Sequence, residues 1–89
     1  MVKEFKIKYS IIDIETTGGK FNHEKITEIA ILRINENNKV DVLHRLINPM
    51  KKIQPFVEKL TRLNNKMLDN KPIFSDVAAE IQDFTKNSI

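Results

Sequence analysis

A chain of 89 residues with 40% hydrophobic and 30% charged side chains and a formal net charge of +3 is expected to form one small folded domain, not a disordered segment. It has no cysteine, which excludes disulfides and thiolate metal sites and fits a reducing cytoplasm. No apolar run approaches the roughly 18 residues of a membrane span and none follows the Lys-rich N-terminus, so no membrane association and no signal peptide are expected.

Tyr9 to Glu15 reads as a first strand, bounded by Thr16, Thr17, Gly18 and Gly19. The two glycines suit a sharp turn and close backbone approach to a ligand. Lys20 to Lys25 is a polar loop. Ile26 to Asn35 is a second strand, with Ile26, Glu28, Ala30 and Leu32 on one face and Thr27, Ile29, Ile31 and Arg33 on the other. Asn35-Glu36-Asn37-Asn38 is a hairpin turn, because Asn tolerates positive φ better than other residues with a side chain. Val40 to Asn48 returns as a third strand that Pro49 ends. Short links between three strands predict an antiparallel meander.

The second half reads as helical. Pro55 suits the first turn of a short helix carrying Val57, Leu60 and Leu63. Asn64-Asn65 breaks it, and Lys66 to Asp69 forms a further turn. In the last helix Ser75 is the expected N-cap and Asp76 lies in the first turn, while Phe74, Val77, Ala78, Ile81 and Phe84 form one apolar stripe that requires a sheet to lie on.

The chemistry is concentrated in Ile11-Ile12-Asp13-Ile14-Glu15. Alternate residues of a strand share a face, roughly 6.6 Å apart along it. Asp13 and Glu15 therefore project together, with Ile12 and Ile14 turned the other way into a core. Two neighbouring carboxylates repel each other and call for a positive charge. A divalent metal pair, its ions about 3.5–4 Å apart, fits that spacing and is suited to cutting phosphodiesters. Between Met50 and Lys71, the six cations Lys51, Lys52, Lys59, Arg62, Lys66 and Lys71 face only Glu58 and Asp69. That local excess favours a polyanion, although on charge alone it is equally an ordinary solvated face.

Asp13-Ile14-Glu15-Thr16-Thr17-Gly18 resembles the first motif of the DEDD-type 3′–5′ exonucleases, the superfamily of the proofreading epsilon subunit of bacterial DNA polymerase III. The resemblance continues through Ile26-Thr27-Glu28-Ile29-Ala30, Leu46-Ile47-Asn48-Pro49, Ile53, Pro55, Leu60-Thr61, Asn65-Lys66-Met67-Leu68 and Pro72, and ends at the helix that begins near Ser75. It implies an α/β (α+β) ribonuclease H-like fold, of which residues 1–89 would be the N-terminal half: a three-stranded antiparallel meander followed by helices, with the later strands absent. It also implies a two-ion site for Mg²⁺ or Mn²⁺, with Asp13 and Glu15 as catalytic ligands and Thr16, Thr17 and Gly18 as substrate contacts; Arg62, a departure from the family, either grips a substrate phosphate or blocks the nucleotide pocket. The implied substrate is a single-stranded or frayed 3′ end of DNA, in replication proofreading or repair. RNA is the lesser reading, since Thr-Thr after the Glu is more typical of DNA-directed members.

The family carries four carboxylates and a general base, and this chain matches only the first two. The second and third motifs would fall beyond Ile89. His23, in the loop, and His44, read as a half-buried packing residue of the third strand, do not stand in for the base. Relatives often have a large apolar residue at Gly19, a glycine at Arg62 and a Glu near Phe56. The isolated chain is expected to be inactive, with a first strand bare along one edge. Three explanations compete: a fragment of a longer exonuclease, with a polymerase or a downstream nuclease domain as partner; a homo-oligomer joined through that edge; or a non-catalytic remnant that binds nucleic acid or protein.

Overall fold

The computed structural model describes residues 7–19 and 24–89. Part of the expected polar loop, including His23, lies outside the described residues. Three strands, β1 (Tyr9–Thr16), β2 (Ile26–Ile34) and β3 (Val40–Leu46), are followed by α1 (Pro55–Thr61), α2 (Asn65–Leu68) and α3 (Phe74–Thr85). The strands form one antiparallel sheet in the order β1-β2-β3, the expected meander. At its hairpin Asn38 adopts φ 64°, while the Asn38 amide donates to the Asn35 carbonyl (2.9 Å) and Asn37 Oδ1 accepts from the Lys39 amide (3.0 Å). The asparagines thus supply both the left-handed residue and the local acceptor that such a turn needs. The third strand ends at Leu46, before the expected Asn48, where the Ile47 amide turns to the Thr27 carbonyl (2.8 Å) and the Asn48 amide to that of Pro72 (2.8 Å).

Strand alternation divides the sheet into two faces. Ile29, Ile31, Leu43 and Ile47 are buried on one of them together with Val77 of α3, with Ile81 and Phe84 packed against the group. The amphipathic stripe of α3 therefore finds the sheet it requires. Arg33 Nη1 donates to the Phe84 carbonyl (2.6 Å) at the last turn of α3, where a cation is favoured. Arg45 of β3 makes a two-pronged hydrogen bond to Glu80 of α3 (2.8 and 2.7 Å), which raises the guanidinium's proton affinity further. A second small core of Ile53, Val57, Leu63 and Leu68 ties α1 and α2 together under Leu46.

Four expectations do not hold. Ile12 and Ile14 lie opposite Ile31 and Ile29, on the core-bearing face, yet they are 53% and 45% exposed. The reason is that α3 covers β2 while β1 lies at the edge of the sheet. Leu60 projects outward from α1 at 78% exposure, whereas Leu63 is buried after the helix has ended. The N-cap of α3 is Ile73, without a side-chain cap, and Ser75 falls inside the first turn. His44 is exposed instead of packed.

Among the described residues, the outer edge of β1 is met only at its start. The Ser10 amide donates to the Ile89 carbonyl (3.0 Å) and the Ile89 amide to the Lys8 carbonyl (2.9 Å). Two bonds from one residue to the neighbours of Tyr9 are the pattern of a parallel pair. No strand pairs with this edge from Ile11 to Thr16 among the described residues.

Candidate active site

Asp13 and Glu15 lie in β1, where β-branched neighbours favour an extended chain. They share the open face of the sheet, the one α3 does not cover. The register gives that face three cross-strand rows: Ile11–Leu32–Val42, Asp13–Ala30–His44 and Glu15–Glu28–Leu46. Asp13 is exposed and Glu15 half-buried. Neither side chain makes a hydrogen bond or ion pair among the described residues. Two free, hard oxygen donors on one face fit part of the coordination shell of Mg²⁺ or Mn²⁺. No third His, Cys, Asp or Glu joins them in an arrangement that could hold a metal ion, among the described residues.

Immediately after Glu15 the register slips, so that Thr16 faces Ile26. Such a bulge bends the strand and re-aims the residues after it. Thr16 Oγ1 donates to the Gly18 carbonyl (2.8 Å). Thr17 is 0% exposed; its hydroxyl donates to Glu24 Oε1 (2.7 Å) and accepts from the Lys25 amide (3.1 Å). The Thr17 amide donates to the Lys25 carbonyl, and its carbonyl accepts from the Gln54 amide, both at 2.9 Å. Every polar group of Thr17 is thus engaged within the chain, and its part in the site is to shape the loop.

Gly18 is buried without a positive φ, so the turn after the strand does not rest on left-handed glycines. A Cβ at Gly18 would lie 2.6 Å from Gln54 Cδ and 2.8 Å from Glu24 Cδ. The close approach that requires glycine is therefore to side chains of this chain. Glu24, whose side chain is 5% exposed, also receives Gln54 Nε2 and Lys51 Nζ, each at 3.3 Å. This carboxylate clamps the motif loop to the segment before α1. Sequence reasoning missed it, because a Glu in a polar loop carries no periodic signal. Glu28 was missed as well, although its alternation with Ala30 already placed it on one face of β2.

Arg62 caps α1 in the left-handed region (φ 61°), with its amide donating to the Glu58 carbonyl. It is exposed, as are Lys51, Lys52, Lys59, Lys66 and Lys71. The basic cluster is a solvent-facing surface along α1, α2 and their flanking loops.

The exonuclease family model RNase_T matches residues 10–89. The 3′-5′ exonuclease DinG of Staphylococcus aureus is 36% identical over 81 residues in strains USA300 and COL, covering 91% of this chain and 9% of the relative. The chain therefore spans under a tenth of the length of these curated relatives. Among solved structures, exonuclease X in complex with 5′ overhanging duplex DNA is 28% identical, with a TM-score of 0.71 over 82% of this chain and 42% of that one. A full-length 3′-exonuclease (19%, TM-score 0.75, 97% of this chain and 31% of that one) shares the fold. So does the nuclease domain of 3′hExo, a DEDDh family member bound to rAMP (20%, TM-score 0.74, 96% and 46%). The three-stranded sheet and its helices share the ribonuclease H-like fold of these neighbours.

Proposed function

The chain belongs to the DEDD-type 3′–5′ exonucleases, and from that premise we propose that it is the metal-binding first part of an enzyme that removes nucleotides from a DNA 3′ end. The observation that carries the proposal is the pair Asp13 and Glu15, side by side on the open face and unpartnered among the described residues. When bound, a pair of Mg²⁺ or Mn²⁺ ions supplies an activated water and stabilises the leaving 3′ oxygen. Asp13 and Glu15 would hold those ions in position. Thr16, Gly18 and the buried Thr17–Glu24 clamp fix the backbone beside the terminal nucleotide, and exposed Arg62 meets a phosphate.

Thr16-Thr17 after Glu15 supports DNA over RNA, as does the likeness to an exonuclease found on duplex DNA with a 5′ overhang. A cytoplasmic role in replication proofreading or repair, beside a polymerase or a further nuclease domain, is consistent with relatives many times longer than this chain. With two of the family's four carboxylates, the isolated chain binds metal weakly and does not cleave.

The test combines Mn²⁺ titration with digestion of 3′-labelled single-stranded DNA, with Asp13→Ala in parallel and every sample sized by light scattering. We expect Mn²⁺ affinity to fall about tenfold or more in Asp13→Ala, with no cleavage by either chain. Unchanged Mn²⁺ binding in Asp13→Ala, with DNA binding intact, would favour the non-catalytic binding remnant. Cleavage by the wild type that Asp13→Ala abolishes would mean that partner copies complete the site.

A further inference from the structure

The open face holds a third carboxylate beside the proposed metal ligands. Glu28 is the register partner of Glu15 across β1 and β2, which puts their Cβ atoms about 4.5–5.5 Å apart on the same face. A divalent ion bridges two carboxylates at that spacing readily, because each supplies hard oxygens and the ion relieves their repulsion. Yet no group of three His, Cys, Asp or Glu among the described residues is arranged to hold an ion. On β3 a neighbour engages Glu28 instead. His44 stands in the same cross-strand row as Asp13 and reaches diagonally to Glu28, with Nε2 2.5 Å from Oε2. Ala30, between Asp13 and His44 in that row, leaves the reach unobstructed.

We infer that His44 is a positioning residue that holds Glu28 away from the metal pole, so that Asp13 and Glu15 present themselves as the ligand pair without a competing third carboxylate. The inference rests on the reading of Asp13 and Glu15 as metal ligands. It assigns His44 a role in the ion's placement that packing alone would not give it. A misplaced ion bridging Glu15 and Glu28 would sit one strand away from the position between Asp13 and Glu15.

The full 89-residue chain is titrated with Mn²⁺, free ion being followed by its paramagnetic resonance signal, in the wild type and in His44→Ala, His44→Gln, Glu28→Gln, the double variant Glu28→Gln/His44→Ala and Asp13→Ala. Far-ultraviolet circular dichroism checks that each is folded. We expect His44→Ala to bind Mn²⁺ about threefold or more tightly, because Glu28 becomes a ligand. His44→Gln, which retains a donor for Glu28, and Glu28→Gln, which removes a carboxylate already withheld, should both match the wild type. The double variant should return to the wild-type value. A gain that persists in the double variant would show that His44 acts through something other than Glu28 and would overturn the inference. Equal affinity in His44→Ala and wild type, or a loss in Glu28→Gln, would overturn it too. Asp13→Ala separates the two levels: if it binds Mn²⁺ as the wild type does, the metal site itself has failed, whereas its loss beside an unchanged His44→Ala leaves the site standing and removes only the role of His44.

Discussion

Gly18 has no space for a side chain, since Gln54 and Glu24 occupy the position a Cβ would take. Both belong to a hydrogen-bonded group around a nearly buried carboxylate, so they cannot swing away without breaking bonds. Gly18→Ala should therefore cost about 1–3 kcal/mol, the usual range for overpacking, read as a lowered midpoint in urea. Gly19→Ala, where no atom lies within 4 Å, is the control and should change little. Arg62 poses the opposite case. Its left-handed backbone at the end of α1 favours glycine, so Arg62→Gly should stabilise the fold by about 0.5–1 kcal/mol. If the guanidinium meets a phosphate, the same variant should weaken single-stranded DNA binding by anisotropy, roughly two- to fivefold. A stabilised variant with unchanged DNA affinity would remove Arg62 from the substrate contacts. The carboxylate pair was legible from Asp13-x-Glu15, since strand periodicity alone puts both on one face. The Glu24 clamp was not, because it depends on three segments meeting, which no local pattern records.

The strands and turns that alternation and turn chemistry define were legible for the same physical reason: each is fixed by neighbours in sequence. The Asn-rich turn between β2 and β3 formed as its side chains dictate, and Asn64, read as a helix breaker, also caps α2 by accepting from the Met67 amide (2.9 Å). What failed was the Ser75 cap, since α3 begins at Phe74 behind Ile73, and burial, which depends on where α3 rests. Ile31 is fully buried beneath α3 while Ile12, its partner on β1, is not. Two isoleucines of the same sheet face should thus differ sharply in their worth. Ile31→Ala should cost about 2–4 kcal/mol through lost transfer energy and a cavity, and Leu60→Ala, on the outer face of α1, less than about 0.5 kcal/mol. Urea denaturation followed by circular dichroism measures both, and comparable losses would mean that α1 buries the face described here as exposed.

For the molecule as a whole, the distinctive feature is a strand exposed on both faces and along one edge. Ile12 and Ile14 on one face of β1 and Ile11 on the other are all exposed, next to backbone groups along its outer edge that no strand pairs from Ile11 to Thr16 among the described residues. An apolar strand with a free edge is a template for another chain, and a core this small gains from any such cover. The isolated chain should therefore associate as concentration rises, measured by light scattering across about a hundredfold dilution series. Ile12→Lys and Ile14→Lys together put charge on the edge strand without replacing Asp13 or Glu15, and the double variant should remain monomeric. Its fold should persist, because neither side chain contributes to the buried cluster of Ile29, Ile31, Leu43, Ile47 and Val77. Association that survives the two lysines would point instead to the open face, where Ile11, Leu32 and Val42 form an apolar row. The bonds of Ile89 beside Tyr9 add a second arm to the test. A strand that continued that parallel pairing along Ile11 to Thr16 would satisfy the same backbone groups. A longer chain with such a strand should be monomeric without any substitution, and loss of association in both proteins would locate the contact at the edge of β1.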